Sequence, residues 1–162
     1  MSIALKHITA PTPEAVTLVT ALDAELGAQC TPEQRHGLAL DAIFQPHIRF
    51  FLAEVEKEVV GCGGVALFDG FAEVKRMYVR QDRRGHGVAD AIMARLVAEA
   101  RRAGFAVLRL ETGAHFHRAI AFYRRHGFVA CPIFEPYASL PTRTVVASLF
   151  MEKRLAGPGE GE

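Results

Sequence analysis

The residues with the clearest chemical potential form a basic turn that contains two glycines, Arg83-Arg84-Gly85-His86-Gly87-Val88-Ala89. Glycine lets the backbone fold closely around a ligand, and a helix that begins at the end of this turn would point its first free N–H groups outward. The neighbouring arginines add positive charge. The pattern predicts a site for a phosphate or pyrophosphate group, and the alternative is an ordinary solvated basic turn.

A metal site is a second hypothesis, because His115 and His117 are two residues apart. No Cys or carboxylate cluster at ligand spacing completes such a site, and His117 fits equally well at the start of a helix. Cys62 lies in an apolar run without an evident His partner, which is typical of a small core residue rather than a nucleophile. We therefore expect no metal.

Length and composition fit a single domain that buries a substantial core. Of the 162 residues half are apolar, and the formal net charge is +1, which argues against nucleic acid and against an anionic membrane as partners. No apolar run is long enough to span a membrane, and residues 1–10 do not resemble a leader. Three cysteines at unrelated spacings fit free thiols in a reducing compartment, so we expect a cytoplasmic protein. Residues 1–155 are expected to form the domain and the Gly- and Glu-rich residues 156–162 a disordered tail.

Apolar periodicity and turn residues predict the elements that position the basic turn. Helices are expected where caps and helical spacing coincide, at residues 12–27, from 31 onward, at 88–103 and at 118–126. Apolar and β-branched runs predict strands at 3–9, 47–55, 59–68, 71–79, 105–110, 128–134 and 144–151. Hairpins followed by strand–helix–strand units imply an α/β protein of the α+β type, with a mixed, mostly antiparallel sheet of six to seven strands and about four helices on its faces. The 105–110 run fits a central strand that is buried on both faces.

Three motifs in order resemble the GNAT N-acetyltransferase superfamily. Arg84-Gly85-His86-Gly87-Val88-Ala89 fits its pyrophosphate loop, Arg/Gln-x-x-Gly-x-Gly/Ala. Upstream, Glu73-Val74-Lys75-Arg76-Met77-Tyr78-Val79 is similar to the fourth strand of the family. Downstream, Ala119-Ile120-Ala121-Phe122-Tyr123 with Gly127-Phe128 is similar to the helix that carries its tyrosine. The resemblance covers nearly the whole domain and implies the single-domain GNAT fold.

The resemblance implies that the ligand of the turn is acetyl-CoA, bound as a co-substrate. Backbone N–H groups of the turn would hold the pyrophosphate. The pantetheine arm would lie beside the fourth strand like an extra strand, and a backbone N–H of that strand would polarise the thioester carbonyl. The implied cofactor-binding residues are Met77, Tyr78, Val79, Arg84, Gly85, His86, Gly87, Val88 and Ala89.

Two catalytic residues are implied by the same resemblance. Tyr123 would give a proton or a hydrogen bond to the departing CoA thiolate. Glu73 would accept, through water, the proton that the acceptor amine must lose before it attacks. Each residue has a structural alternative: Tyr123 as an aromatic that packs beside Phe122, and Glu73 as the ion-pair partner of Lys75 or Arg76.

One position departs from the family pattern. Many relatives carry Asn, or in some branches Gln, three residues before the Ala of the Tyr-bearing helix, and this sequence has Phe116 there. Thr112, His115 and His117 are alternatives for the cofactor contact that the amide would make. A late loop with Tyr137, Arg143 and the proline-bounded segment 136–141 falls where related enzymes border the acceptor pocket, and a simple connection is the alternative.

Two functions agree with these observations. The leading hypothesis is an N-acetyltransferase that moves the acetyl group of acetyl-CoA to a primary amine of a small molecule, by direct attack in a ternary complex. Phe116 motivates the alternative, an acetyl-CoA-binding sensor or scaffold without efficient catalysis. A dinucleotide-binding oxidoreductase is excluded because the third glycine of its fingerprint would fall at Asp90. The apolar late strands are compatible with a homodimer.

Overall fold

A computed structural model describes residues 2–28, 30–34 and 36–155, and the predicted tail at 156–162 lies outside the described residues. The described strands are β1 (Ile3–Ile8), β2 (Ile48–Val55), β3 (Glu58–Leu67), β4 (Ala72–Val79), β5 (Val107–Gly113), β6 (Val129–Ala130) and β7 (Ser148–Arg154). The described α-helices are α1 (Pro13–Gly27), α2 (Leu40–Ile43), α3 (Val88–Arg102), α4 (His117–Arg125) and α5 (Thr142–Val145). Short 3₁₀ helices lie at Pro32–Gln34, Gln81–Arg83 and Tyr137–Ser139.

The strands form one sheet in the order β1-β2-β3-β4-β5-β7-β6. Neighbouring strands are antiparallel except β4 and β5, which are parallel. Side chains alternate across the sheet, so β2 contributes Phe51 and Ala53 to a core with α3 and contributes Phe50 and Leu52 to a second core with α1 and α2. The predicted α+β fold with a mixed, mostly antiparallel sheet is confirmed. Across the described residues, no helix is long and apolar enough to cross a membrane.

The two long helices begin and end where their sequences predict. Thr12 caps α1, because its Oγ1 accepts a hydrogen bond from the backbone N–H of Ala15 at 3.1 Å, and Pro13 occupies the first helical turn. The helix α3 ends beside Gly104, whose φ of +89° a residue with a Cβ rarely adopts.

The strands β4 and β5 diverge after a short paired region, and this divergence positions the site. Within these two fully described strands, the paired positions are Ala72 with Leu108 and Glu73 with Arg109. Further along, β4 bulges away from regular pairing with β3, and Arg76 in the bulge has a φ of +53°. A bulge bends the strand that carries it. The second halves of β4 and β5 therefore leave a cleft between them.

The second predicted helix is wrong beyond its first turn, since Pro32–Gln34 forms a 3₁₀ helix and α2 is one turn long. A capping contact forms at its start, because Oε1 of Gln34 accepts a hydrogen bond from the backbone N–H of Thr31 at 3.2 Å. Gly37 follows three residues later, and glycine is unfavourable inside a helix because it loses the most backbone entropy. A correct start signal is thus not followed by residues that extend a helix.

The late strands differ in length and position from the prediction. The strand predicted at 128–134 is reduced to the two residues of β6. Pro132 follows directly after Cys131 and has no N–H to give to a ladder, which explains why pairing stops there. The segment predicted as a strand from residue 144 begins inside α5, and β7 then continues to Arg154.

The burial of β5 alternates, so the prediction of a strand buried on both faces is wrong. Leu108, Leu110 and Thr112 are buried, whereas Arg109 and Glu111 are half-buried. Arg109 packs against the rings of Phe71 and Phe134, and Glu111 lines the cleft between β4 and β5. The strand also runs past its predicted end, and for this reason it includes Glu111.

Candidate active site

A cavity of about 920 Å³ lies where β4 and β5 diverge and continues to the glycine turn before α3. Residues of α1, β4, β5, α4 and the late loop line it. His86 is exposed and is absent from the cavity lining. The other predicted site residues line the cavity together: Glu73, Met77, Tyr78, Val79, Arg84, Gly85, Gly87, Val88, Ala89 and Tyr123. The fold thus brings the three sequence motifs to one place.

The glycine turn presents its backbone to the cavity. Gly85 has a φ of +81° and Gly87 a φ of +85°, conformations that cost a residue with a Cβ about 1–2 kcal/mol. A Cβ added at either glycine would meet no heavy atom within 4 Å beyond the chain neighbours, so the backbone conformation itself requires glycine. Gly87 caps α3 without a side-chain hydrogen bond, which leaves the first N–H groups of α3 available to an anion.

Arg84 ties the turn to two neighbouring elements. Its Nε donates to the carbonyl of Val79 at 2.9 Å, and its terminal nitrogens donate to both carboxylate oxygens of Glu25 in α1 at 3.0 and 2.9 Å. The guanidinium carbon lies 5.5 Å from the centre of the Tyr78 ring. In this arrangement the guanidinium anchors the turn, and its role beside a pyrophosphate stays a prediction.

Glu73 lies in a buried polar network between β4 and the late loop. Its side chain is 1 % exposed, and its Oε2 accepts a hydrogen bond from Tyr137 Oη at 2.5 Å and pairs with Lys75 Nζ at 3.0 Å. Lys75 Nζ also donates to Tyr137 Oη at 2.8 Å. Oε1 of Glu73 is buried and has no hydrogen-bond partner among the described residues. The ion pair with Lys75, one of the two structural alternatives for Glu73, is therefore present.

Tyr137 was not predicted as a site residue, although its loop was expected to border the acceptor pocket. It lines the cavity, and burial together with the charge of Glu73 raises the pKa of its hydroxyl. The hydroxyl therefore stays protonated at neutral pH and donates to the carboxylate. A contact between residues 64 positions apart leaves no local signal in the sequence.

Glu111 is a second residue that the sequence analysis missed. It lines the cavity, and its Oε2 is buried without a hydrogen-bond partner in the described part of the chain. Burial raises the pKa of Glu111 to about 7, against the opposing influence of Lys75 and with a further increase from the charge of Glu73. A carboxyl group that titrates near neutral pH is suited to accept a proton and release it. The predicted strand ended at residue 110, one residue before Glu111, and a longer strand would have included this carboxylate.

Tyr123 is both a packed aromatic and a cavity residue. Its ring lies 5.6 Å from that of Phe122 and 5.9 Å from that of Phe128, measured between centroids. Burial raises the pKa of Tyr123 to about 12, and the charge of Glu111 contributes in the same direction. The phenol is therefore a proton donor at neutral pH.

Phe116 lies just before α4, without a side-chain cap to that helix. Its ring centroid is 4.3 Å from that of His115, and both residues line the cavity together with Thr112 and His117. All three alternatives for the missing amide contact are thus near the cleft, and the choice between them stays open. Among the described residues, no group of three or more His, Cys, Asp or Glu side chains forms a potential metal site. Cys62 is buried in the core, as predicted, and burial raises the pKa of its thiol to about 12.

The sequence profile of the Acetyltransferase (GNAT) family matches residues 17–128, which include the β4 motif, the glycine turn and Tyr123. The chain belongs to the GNAT family. This GNAT chain is 41 % identical over 142 residues to an IAA acetyltransferase of Azospirillum brasilense, covering 86 % of the chain and 90 % of that relative. It is 34 % identical over 127 residues to the uncharacterized N-acetyltransferase YsnE of Bacillus subtilis, covering 76 % of the chain and 81 % of the relative. The protein is therefore a GNAT acyltransferase.

Solved structures agree with this GNAT assignment. A Klebsiella pneumoniae chain described as an acyl-CoA N-acyltransferase superposes with a TM-score of 0.76 at 32 % identity, over 95 % of this chain and 98 % of that one. The PaiA N-acetyltransferase of Thermoplasma acidophilum, solved in complex with coenzyme A, has a TM-score of 0.71 at 15 % identity, over 95 % of this chain and 99 % of that one. A GNAT acetyltransferase from Elizabethkingia anophelis, solved with acetyl-CoA bound, has a TM-score of 0.68 at 17 % identity over 94 % and 98 %. Because the last two structures are only 15 % and 17 % identical to this chain, their similarity shows that they share its fold.

Proposed function

We propose that this GNAT acyltransferase transfers the acetyl group of acetyl-CoA to a primary amine of a small molecule, by direct attack in a ternary complex. One observation carries the proposal: a single cavity connects the glycine turn to the cleft that Glu73, Glu111 and Tyr123 line. Because donor and acceptor share this space, the amine can reach the thioester directly. No covalent acetyl-enzyme is then needed.

The donor half of the cavity fits the CoA group of acetyl-CoA. The positive φ angles of Gly85 and Gly87 leave the backbone open toward the cavity, and a Cβ at either position would intrude into that open space. The pyrophosphate would bind the N–H groups of the turn and of the α3 N-terminus. The pantetheine arm would lie along Met77 to Val79, where β4 is no longer paired with β5.

The acceptor amine must lose a proton, because a free alkylammonium titrates near ~10.4. Both carboxylates of the cleft have a buried oxygen without a partner in the described chain. Glu73 is already engaged by Tyr137 and Lys75, whereas Glu111 titrates near neutral pH. We assign the general base to Glu111, and Glu73 holds the ammonium in place by its negative charge.

The chemical step then balances as follows. Glu111 takes one proton from the ammonium, the neutral nitrogen then forms a bond to the acetyl carbon, and a backbone N–H of β4 stabilises the resulting oxyanion. The carbon–sulfur bond breaks and the thiolate receives the proton of Tyr123, while the second proton on the nitrogen returns to the Tyr123 phenolate. Glu111 releases its proton to solvent, so that both residues are restored. The phenol of Tyr123 is protonated at neutral pH, as this step requires.

The test is a screen of primary amines in which acetyl-CoA consumption is followed as thiol release, with acetyl-CoA affinity measured separately by isothermal titration. We expect micromolar binding and acetylation of at least one small amine. Tyr123→Phe should bind acetyl-CoA normally and lower kcat by about 10²-fold. Absence of acetyl-CoA binding would contradict the proposal, because acetyl-CoA is the acetyl donor on which it depends.

A second candidate function is an acetyl-CoA sensor, and the specific observation that favours it is Phe116 in place of the family's amide. The same screen separates the two functions. If acetyl-CoA binds well while no amine in a broad panel is acetylated, the sensor function replaces the enzymatic one.

A further inference from the structure

The acceptor side of the cavity contains a buried cation that the proposed chemistry does not use. The Arg76 side chain is 4 % exposed, and its Nη2 donates to Oδ1 of Asp23 at 2.6 Å. Its Nε is buried without a hydrogen-bond partner in the described chain. A buried guanidinium with an unused donor is costly, since its lost hydration is only partly replaced. Asp23 is half exposed and leaves part of the charge uncompensated.

Arg76 has an unusual backbone conformation, and its guanidinium packs tightly against a glycine. Arg76 has a φ of +53° in the β4 bulge, a conformation that a residue with a side chain rarely adopts. Gly37 lies against its guanidinium, and a Cβ at Gly37 would come within 2.1 Å of Nη1. Strained residues of this kind concentrate at ligand sites. Arg76 and Gly37 both line the cavity that also contains Glu73.

The neighbouring cations are already engaged by protein carboxylates. Lys75 Nζ is shared between Glu73 and Tyr137, and the Arg84 guanidinium is bound by both oxygens of Glu25. Among the described residues that line the cavity, Arg76 is the cation with a buried donor left over. Glu73, Glu111 and Arg76 each have a buried polar atom without a partner in the described chain, and all three line the same cavity, which suits a molecule that carries both charges.

We propose that Arg76 binds a carboxylate on the acceptor, so that the acceptor is an amino acid rather than a simple amine. This inference rests on the proposed function. Guanidinium donors match the two oxygens of a carboxylate, and hydrogen bonds between charged groups are the strong ones. The ammonium end of the same molecule lies toward Glu73 and Glu111. On β4, Glu73 and Arg76 are three residues apart, with Arg76 in the bulge, and both residues line the same cavity.

The experiment compares L-amino acids with their own carboxamides, which keep the amine and lose the negative charge. Thiol release from acetyl-CoA gives kcat/KM for each member of a pair. We expect the wild-type enzyme to prefer the acid by roughly 10- to 100-fold. Arg76→Gln should abolish this preference by raising KM for the acids, while carboxamides keep their rates within about twofold.

Two further variants keep the test decisive if Arg76→Gln folds poorly. Gly37→Ala leaves the charge in place and displaces the flexible end of Arg76, so it should weaken the acid preference in a folded protein. Arg49→Gln removes an exposed arginine on β2 outside the cavity and should keep the preference unchanged. Equal rates for acid and carboxamide in the wild type, or an equal loss of both in Arg76→Gln, would overturn the inference.

Direct binding distinguishes this inference from the proposed function. L-amino acids and their carboxamides are titrated calorimetrically into the CoA-saturated protein. Acid binding that depends on Arg76 without any turnover would uphold the carboxylate site and contradict the enzymatic proposal. Acetylation of amines without discrimination between acid and carboxamide would support the enzymatic proposal and contradict the carboxylate site. Absence of acid binding would also reject the carboxylate site.

Discussion

Two carboxylates in one cleft have different environments, and this difference supports the separate roles proposed for them. Oε2 of Glu73 accepts a hydrogen bond from Tyr137 and pairs with Lys75. Burial dominates at Glu111 and raises the pKa of its carboxyl group to about 7. Two carboxyl groups in environments as different as these commonly divide acid–base work between them. The base is therefore expected at Glu111, on the strand opposite the one that the family motif singles out.

The pH dependence of turnover tests this assignment at the level of a single residue. Glu111 accepts a proton only when ionised, so kcat of the wild-type enzyme should rise with pH and level off above about 7. Glu111→Gln should remove this inflection and lower kcat at pH 8 by about 10²-fold, because the amine proton loses its acceptor. The measurement is kcat against pH with a saturating acceptor and acetyl-CoA.

Glu54→Gln is the matched control, since it removes a half-buried carboxylate on β2 that pairs with Lys6 outside the cavity. This variant should keep the inflection near pH 7. An unchanged inflection in Glu111→Gln together with its loss in Glu73→Gln would return the base to Glu73.

The sequence predicted the residues whose signals are local and missed those that depend on distant contacts. Gly85, Gly87 and Tyr123 stand in short motifs, and all three line the cavity. Glu111 acquires its character from burial under elements remote in sequence, and Tyr137 reaches Glu73 from a loop 64 residues away. No window of the sequence contains such information, because desolvation arises only when the chain has folded.

At the scale of elements, the helix α3 offers the same unusual backbone at both of its ends. Gly87 precedes its first turn with a φ of +85°, and Gly104 follows its last turn with a φ of +89°. A Cβ at either glycine would meet nothing within 4 Å beyond the chain neighbours. Substitution at the two positions should therefore cost similar stability, and only one of them lies at the cavity.

Gly87→Ala and Gly104→Ala form a matched pair that separates backbone strain from ligand binding. Each should lower the free energy of unfolding by about 1–2 kcal/mol, as seen by denaturant titration. Only Gly87→Ala should weaken acetyl-CoA binding, by roughly tenfold or more in Kd, because its Cβ and altered backbone disturb the N–H groups of the turn. Equal acetyl-CoA affinity in the two variants would contradict the assignment of the turn as the pyrophosphate site.

Helices were predicted correctly where two independent sequence signals, such as an apolar stripe and a capping residue, coincide. The helix α3 combines an apolar stripe with a glycine at each end, and α1 combines a Thr cap with a proline in its first turn. The predicted second helix had only a start signal: its 3₁₀ turn ends at Gln34, and Gly37, which disfavours a helix, follows three residues later. The strand predicted at 128–134 is shorter than expected because Pro132 has no N–H for strand pairing, and the apolar composition of this segment outweighed that signal in the prediction.

At the scale of the whole molecule, the sheet consists of two antiparallel sections joined by β4 and β5. The section β1-β2-β3-β4 and the section β5-β7-β6 meet at the short parallel contact that begins at Ala72 and Leu108. Beyond that contact the cleft replaces strand pairing. A ligand that fills the cleft would bridge the two sections. The homodimer expected from the apolar late strands stays a prediction; Val129 on the edge strand β6 and Val146 before β7 do expose apolar side chains.

Acetyl-CoA should therefore stabilise the entire fold and not only its own contacts. Binding to the native state at about 100 times Kd adds ~2.7 kcal/mol, which in a domain of this size raises Tm by roughly 5–10 °C. Thermal unfolding with increasing acetyl-CoA measures this shift, and Gly87→Ala should reduce it while Gly104→Ala retains it. Hydrogen exchange at the same concentrations should slow at residues 77–79 and 85–91, where the arm and the pyrophosphate would bind. Protection concentrated in β1 and β2 instead, with these segments unchanged, would mean that the ligand binds elsewhere than in the cleft between β4 and β5.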